Sequence, residues 1–132
     1  MTLPLLEVEN LQTHFATPAG LVKAVDGVSF TVASGEVLGL VGESGSGKSI
    51  TGFSLLGLLD PPGEVVGGSV RFKGEDLLAL DATRKRQIRG NRIAMIFQDP
   101  MMTLNPVLSI GTQMMETVKA HANVSRSEAR QR

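Results

Sequence analysis

The 132-residue chain has no cysteine, which excludes a disulfide framework, a disulfide-linked partner and thiolate metal sites. It has no excess charge of either sign, with 13 Lys and Arg against 13 Asp and Glu. A polyanion binder whose affinity rests on neutralising phosphates is therefore not expected, and nucleic acid is not the default partner. No apolar run reaches the roughly 18 residues of a membrane-spanning helix. The opening Met1-Thr2-Leu3-Pro4-Leu5-Leu6-Glu7 carries neither the basic nor the long apolar segment of a secretion signal. These absences point to a soluble, cytoplasmic chain. His14 and His121 stand alone, so neither a metal site nor a His-activated nucleophile can be assembled from them. What is abundant is glycine, 15 residues against a usual share of ~7%, which implies backbone that bends or lies against a ligand.

Up to about residue 35 the apolar positions alternate, Leu6 and Val8 and then Val28, Phe30 and Val32, as in half-buried antiparallel strands. Thr17-Pro18-Ala19-Gly20 is expected as a loop, and Asp26-Gly27 and Ser34-Gly35 as tight turns, giving a small β-meander. Val37–Val41 and Ile93–Phe97 are apolar throughout, the pattern of short strands covered on both faces in a parallel sheet. Between them, Ser49–Leu59 predicts a helix with Ile50, Phe53, Leu56 and Leu59 on one stripe, closed by Asp60-Pro61-Pro62-Gly63. Ser69–Lys73 predicts another strand, and Asp81 caps a polar helix reaching about Gly90. Beyond Pro106, Ile110, Met114 and Val118 recur at helical spacing, and Ser125-Arg126-Ser127-Glu128 has capping-box spacing for a last helix. The basic cluster Arg84, Lys85, Arg86, Arg89 and Arg92, without interleaved aromatics, is expected as a solvated helix face.

Gly42-Glu43-Ser44-Gly45-Ser46-Gly47-Lys48-Ser49 matches G-x-x-x-x-G-K-[ST] at every fixed position, between an expected buried strand and a helix. Its glycines let successive amides turn inward, and the helix N-terminus adds unpaired N–H groups, so a phosphate is favoured there. Lys48 would reach the β and γ phosphates, and the Ser49 hydroxyl would meet Mg²⁺. Gly42 to Ser49 and the following Ile50 are thus candidate ATP-binding residues, with Mg²⁺ as the accompanying ion.

With that loop, the Gln98-Asp99-Pro100 segment after Ile96-Phe97 and the antiparallel strands upstream, the sequence resembles the ATP-binding subunit of an ATP-binding cassette (ABC) transporter along essentially its whole length. The wording Gln98-Asp99-Pro100-Met101-Met102-Thr103-Leu104-Asn105-Pro106, with Phe15-Ala16-Thr17-Pro18 upstream, is especially similar to dipeptide and oligopeptide importers, with nickel importers close by. The resemblance implies an α/β fold: the P-loop core of an ABC ATPase with an antiparallel β-subdomain, stopping before the signature motif and Walker B. Residues 1–35 would be mainly β-subdomain, 36–100 the core up to the Q-loop with a further β-subdomain strand, and 101–132 the start of a helical subdomain. It implies that Gln98 senses Mg²⁺ or the attacking water, although Gln98 ending a strand is the plain alternative. Phe15 is the candidate to stack on adenine, or else an ordinary core residue. Met101 and Met102 could face a membrane subunit, and Met114 and Met115 are expected in the core.

The resemblance also implies transmembrane permease partners, a second ATP-binding subunit and a peripheral place on the cytoplasmic face of the membrane. No apolar run ending in an acid follows Asp99, and L-S-G-G-Q is absent; of the earlier runs ending at Asp60, Asp81 and Asp99, the first two follow helical or loop patterns, which leaves Asp99 as the serious contender for the Walker B acid. The chain is therefore expected to bind Mg-ATP without hydrolysing it. Two rival readings are a non-catalytic module that occupies permease docking sites, and a small phosphotransferase that clamps phosphate with the Arg84–Arg92 cluster.

Overall fold

The structure, a computed structural model, describes residues 2–99, 101 and 103–132. Pro100 of the expected Q-loop and Met102 lie outside the described residues. The chain divides into two units, Met1–Lys85 and Arg86–Arg132.

In the first unit, β1 (Leu6–Thr17) and β2 (Gly20–Val32) form a hairpin, β3 (Gly63–Phe72) pairs with the other edge of β1, and the short β4 (Glu75–Asp76) follows. The order is β2-β1-β3-β4 and every pairing is antiparallel. Alternation places Val8, Leu11, Val25, Val70 and Leu77 in the core. The hairpin turn is tighter than a loop, since Thr17 pairs with Gly20 and the Thr17 hydroxyl donates to the Gly20 carbonyl.

Asp26-Gly27 is not a turn. It lies inside β2, where Gly27 has φ +83° and faces Asn10, itself at φ +46°. On the other side of β1, Gly68 has φ +88°, and a Cβ there would stand 2.5 Å from the Glu9 carbonyl oxygen. All three strands thus bulge at one level, which bends the long ribbon. The strand expected only over 69–73 begins at Gly63, because a bulged strand carries glycines that look like loop in the sequence.

The helix α1 (Lys48–Leu56) packs on β1, β2 and β3. Gly57 ends it three residues before the expected Leu59, in the left-handed conformation, with the Leu58 amide donating to the Phe53 carbonyl. Its buried face is not the apolar stripe but Thr51 and Ser54. Small hydroxyl residues let the helix approach closely, and Ser54 Oγ lies 2.7 Å from Thr13 Oγ1 of β1 with both residues fully buried. Ser54 also donates to the Ile50 carbonyl. Its single proton is then used, so Thr13 is the donor of the pair. Replacing Ser54 by alanine leaves the Thr13 hydroxyl without its acceptor and should lower the local stability of β1 and α1 by about 1–3 kcal/mol. Thr13→Val combined with Ser54→Ala should recover most of it. Amide exchange in β1 measures both, and additive losses would contradict the pairing.

The expected parallel strands are not formed. Residues 37–41 and 93–97 carry no strand ladder among the described residues, only an isolated parallel bridge between Arg89 and Ile93. Val37, Val41 and Ile96 are 95%, 91% and 98% exposed. A strand apolar on both faces is stable only between neighbours, and the four-stranded sheet supplies none.

The helix α2 (Ala82–Ile88) begins as expected, its Arg84 amide donating to Asp81 Oδ1 at 2.7 Å. In the second unit, α3 (Ile110–His121) is capped by Ser109, and α4 (Arg126–Gln131) by the Ser125–Glu128 capping box, whose hydrogen bonds from the Ser125 amide and hydroxyl hold the Glu128 carboxyl below its usual range. Ala129 of α4 is buried against α3. Contrary to a core placement, Met114 is exposed and α3 buries no residue fully; Met115 is half-buried.

Candidate functional site

The loop from Gly42 enters α1 through Gly47, which caps the helix at φ +96° without a side chain. Because no side chain caps it, the amides of Gly45, Gly47, Lys48 and Ser49 have no acceptor among the described residues. Only the Ser46 amide is used, donating to the Glu43 carbonyl at 3.1 Å. Two glycines leave no room for a methyl group. A Cβ on Gly42 would collide with the Ser46 hydroxyl, and one on Gly47 with the Ala24 carbonyl of β2.

Lys48 folds back over this loop. Its ammonium donates to the carbonyls of Gly42 and Glu43, each at 2.7 Å, and to Ser46 Oγ at 3.3 Å, using all three protons. A fixed positive charge therefore stands beside several unpaired amides at the positive end of a helix, which is the chemistry of an anion cradle. A polyphosphate fits these residues: the amides are open, the cradle is one that a Cβ would fill, and the ammonium is already in place. For a divalent cation the chain offers the exposed Ser49 hydroxyl, which has no partner among the described residues. No cluster of three acidic, His or Cys side chains exists among them. Such an ion would take most of its ligands from phosphate and water, as Mg²⁺ ordinarily does.

Phe15 sits on β1, half-buried, with the edge of its ring over Gly63 of β3. Ile50 is half-buried in the first turn of α1. The structure thus brings Phe15 and Gly42 to Ile50 into one unit, while Gln98 belongs to the other. Gln98 is exposed and its side chain has no partner among the described residues. Asp99 does not end a strand; its carboxylate accepts the Met101 amide at 2.9 Å, so the Walker B alternative has no strand behind it. Met101 is 82% exposed. Within the basic cluster, Arg84 grips Glu75 through Nε at 2.8 Å and Nη2 at 2.9 Å. That hydrogen bonding holds the Glu75 carboxyl below its usual range and raises Arg84. His14 Nε2 is buried without a partner among the described residues. The contacts that sequence reasoning missed are the Thr13–Ser54 pair and the Ala24 carbonyl against Gly47, since neither residue type nor spacing marks them.

Residues 25–132 match the family model described as ABC transporter. A protein of Brucella abortus named for peptide import and ATP binding is 58% identical over 131 residues, 99% of this chain and 40% of its own length. The dipeptide transport ATP-binding proteins DppD of Haemophilus influenzae and Escherichia coli are 50% and 44% identical, over 90% and 98% of this chain. The chain spans about two fifths of the length of these curated relatives, 36% to 40%. Among solved structures, the dimeric structure of MJ0796, a bacterial ABC transporter cassette, superposes with a TM-score of 0.76 at 24% identity, covering 96% of this chain and 53% of that one. The antiparallel β-subdomain, the glycine loop and the helices that follow are accordingly those of an ABC ATPase cassette, and the chain belongs to the ABC transporter family.

Proposed function

We propose that the chain is the ATP-binding portion of a peptide importer subunit, holding the triphosphate of Mg-ATP at Gly42–Ser49. The observation that carries this is the row of unpaired amides opening α1, with the Lys48 ammonium beside them. In this reading Lys48 moves from the Gly42 and Glu43 carbonyls toward the β and γ phosphates. Ser49 gives its hydroxyl to the Mg²⁺ that offsets their charge. Ile50 continues the helix's first turn, and Phe15 covers the base. Gln98 senses the γ-phosphate from the segment that leads to the permease.

The names of the relatives support peptide as cargo, with nickel as the neighbouring alternative. Permease subunits and a second ATP-binding subunit would be the partners, on the cytoplasmic face of the membrane. By itself the 132-residue chain binds ATP without turning it over, because no apolar run ending in an acid follows Asp99 to orient water. In the phosphotransferase reading Arg84 is already held by Glu75, which leaves the clamp to the rest of the cluster.

Titration of a fluorescent ATP analogue tests the proposal. Lys48→Ala should weaken binding at least tenfold, the scale of a lost charge-assisted contact of about 1.5–3 kcal/mol. Equal affinity in both chains would remove the loop from the site.

A further inference from the structure

We propose that Gly63 is a positioning residue for the nucleotide base: having no side chain, it lets the Phe15 ring lie down across β3 and serve as a platform that accepts any purine. This rests on the nucleotide reading above. Phe15 pairs with Gly63 across β1 and β3, and a Cβ at Gly63 would stand 2.5 Å from ring atom Cε1 and 2.7 Å from Cζ. A side chain at 63 and this ring position exclude each other.

Register places the platform on the correct side of the sheet. Thr13 and Phe15 are two residues apart on β1 and share a face, and Thr13 meets Ser54 of α1. Phe15 therefore faces the side on which α1 packs. Pairing runs from Thr13–Val25 to His14–Lys23, leaving Ala24 as the extra residue of a bulge in β2. Its carbonyl is the atom that abuts Gly47. The glycine loop thus touches the hairpin two register steps from the Phe15–Val22 pair, about 7 Å along the strand.

Gly63 itself has no left-handed backbone, and its amide closes the preceding turn on the Asp60 carbonyl at 2.9 Å. An alanine there is conformationally permitted, so the ring must swing away, while the Asp60 carbonyl oxygen, 3.1 Å from the new Cβ, needs to yield by only a few tenths of an ångström. A flat apolar ring covers a base without reading its edge. The contact should favour nucleotides over inorganic polyphosphate without separating ATP from GTP.

The test compares ATP, GTP and inorganic tripolyphosphate on the 132-residue chain. Gly63→Ala and Phe15→Ala should each weaken ATP and GTP roughly tenfold, the scale of one base–aromatic stack, and leave tripolyphosphate unchanged. The double variant should be no weaker than Phe15→Ala alone. Because the chain has no Trp and no Tyr, Phe15→Trp supplies a single indole. ATP should quench its emission, and adding Gly63→Ala should shift that emission to the red before any nucleotide is present and raise the ATP needed for quenching about tenfold. Unchanged ATP affinity and emission in Gly63→Ala would overturn the proposal. So would an equal loss of tripolyphosphate binding, which would mark a general disturbance of the unit. If the unsubstituted chain fails to bind tripolyphosphate at all, the glycine-loop reading falls and the platform with it, a result distinct from a failure confined to Gly63.

Discussion

Gly47→Ala is expected to abolish triphosphate binding and to detach the start of α1 from the hairpin. Two effects coincide at this position. The residue sits at φ +96°, where an L side chain costs about 1–3 kcal/mol. The new Cβ would also be driven into the Ala24 carbonyl, a backbone atom that cannot rotate away. Gly45 is the internal control, since it shares the left-handed conformation at φ +80° but has open space around it. Gly45→Ala should therefore show the dihedral cost alone. ATP titration combined with amide exchange over β1 and α1 separates the two variants. Binding should be lost in Gly47→Ala, with β2 near Ala24 exchanging faster, and be weakened roughly tenfold in Gly45→Ala. Indistinguishable variants would mean that the Ala24 contact does not set the position of the loop.

The second large effect concerns apolar side chains that the described residues leave uncovered. Val37, Val41, Ile96, Met101 and Val107 are all more than four fifths exposed. Burying a side chain of this kind is worth about 1.5–3 kcal/mol. Five of them together forgo roughly 8–15 kcal/mol, as much as the entire stability of an ordinary domain, about 5–15 kcal/mol. The 132-residue chain should accordingly bind a hydrophobic dye strongly and self-associate as its concentration rises. Val37→Lys with Val41→Lys, and separately Ile96→Lys, should each reduce dye fluorescence severalfold without changing amide protection in β1, whose own core of Val8, Leu11, Val25 and Val70 is closed. A monomer that unfolds in one cooperative step and binds no dye would contradict this account.

The same five-residue run illustrates how far a sequence can be read. Val37–Val41 is apolar throughout, which implies a strand needing neighbours on both sides; the described residues supply none, and no strand forms there. The relatives are about two and a half times longer, each matched over 36% to 40% of its length. β3 shows the opposite failure. Its first half, Gly63–Gly68, has the composition of a loop, yet it pairs with β1, because glycine at a bulge is selected by the approach of another backbone and not by local preference. At α1 the apolar stripe pointed to the wrong contact face, since a helix that must lie close to a sheet buries small hydroxyl residues in preference to large apolar ones.

By itself the sequence determined the family and marked the glycine loop proposed to hold phosphate, because that loop is a local object. Its glycines, lysine and serine are adjacent in the chain, so their spacing can be read without knowing the fold. The capping residues of α2 and α4, Asp81 and the Ser125–Glu128 pair, were legible for the same reason. Only the tertiary structure decided what the loop rests on and which distant residues meet around it. The Ala24 carbonyl against Gly47, the Thr13–Ser54 hydroxyl pair and the Phe15 ring over Gly63 join residues 23, 41 and 48 positions apart in the chain. Contacts at that separation depend on strand register and bulges, and each bulge shifts the pairing by one residue, so periodicity alone cannot place them.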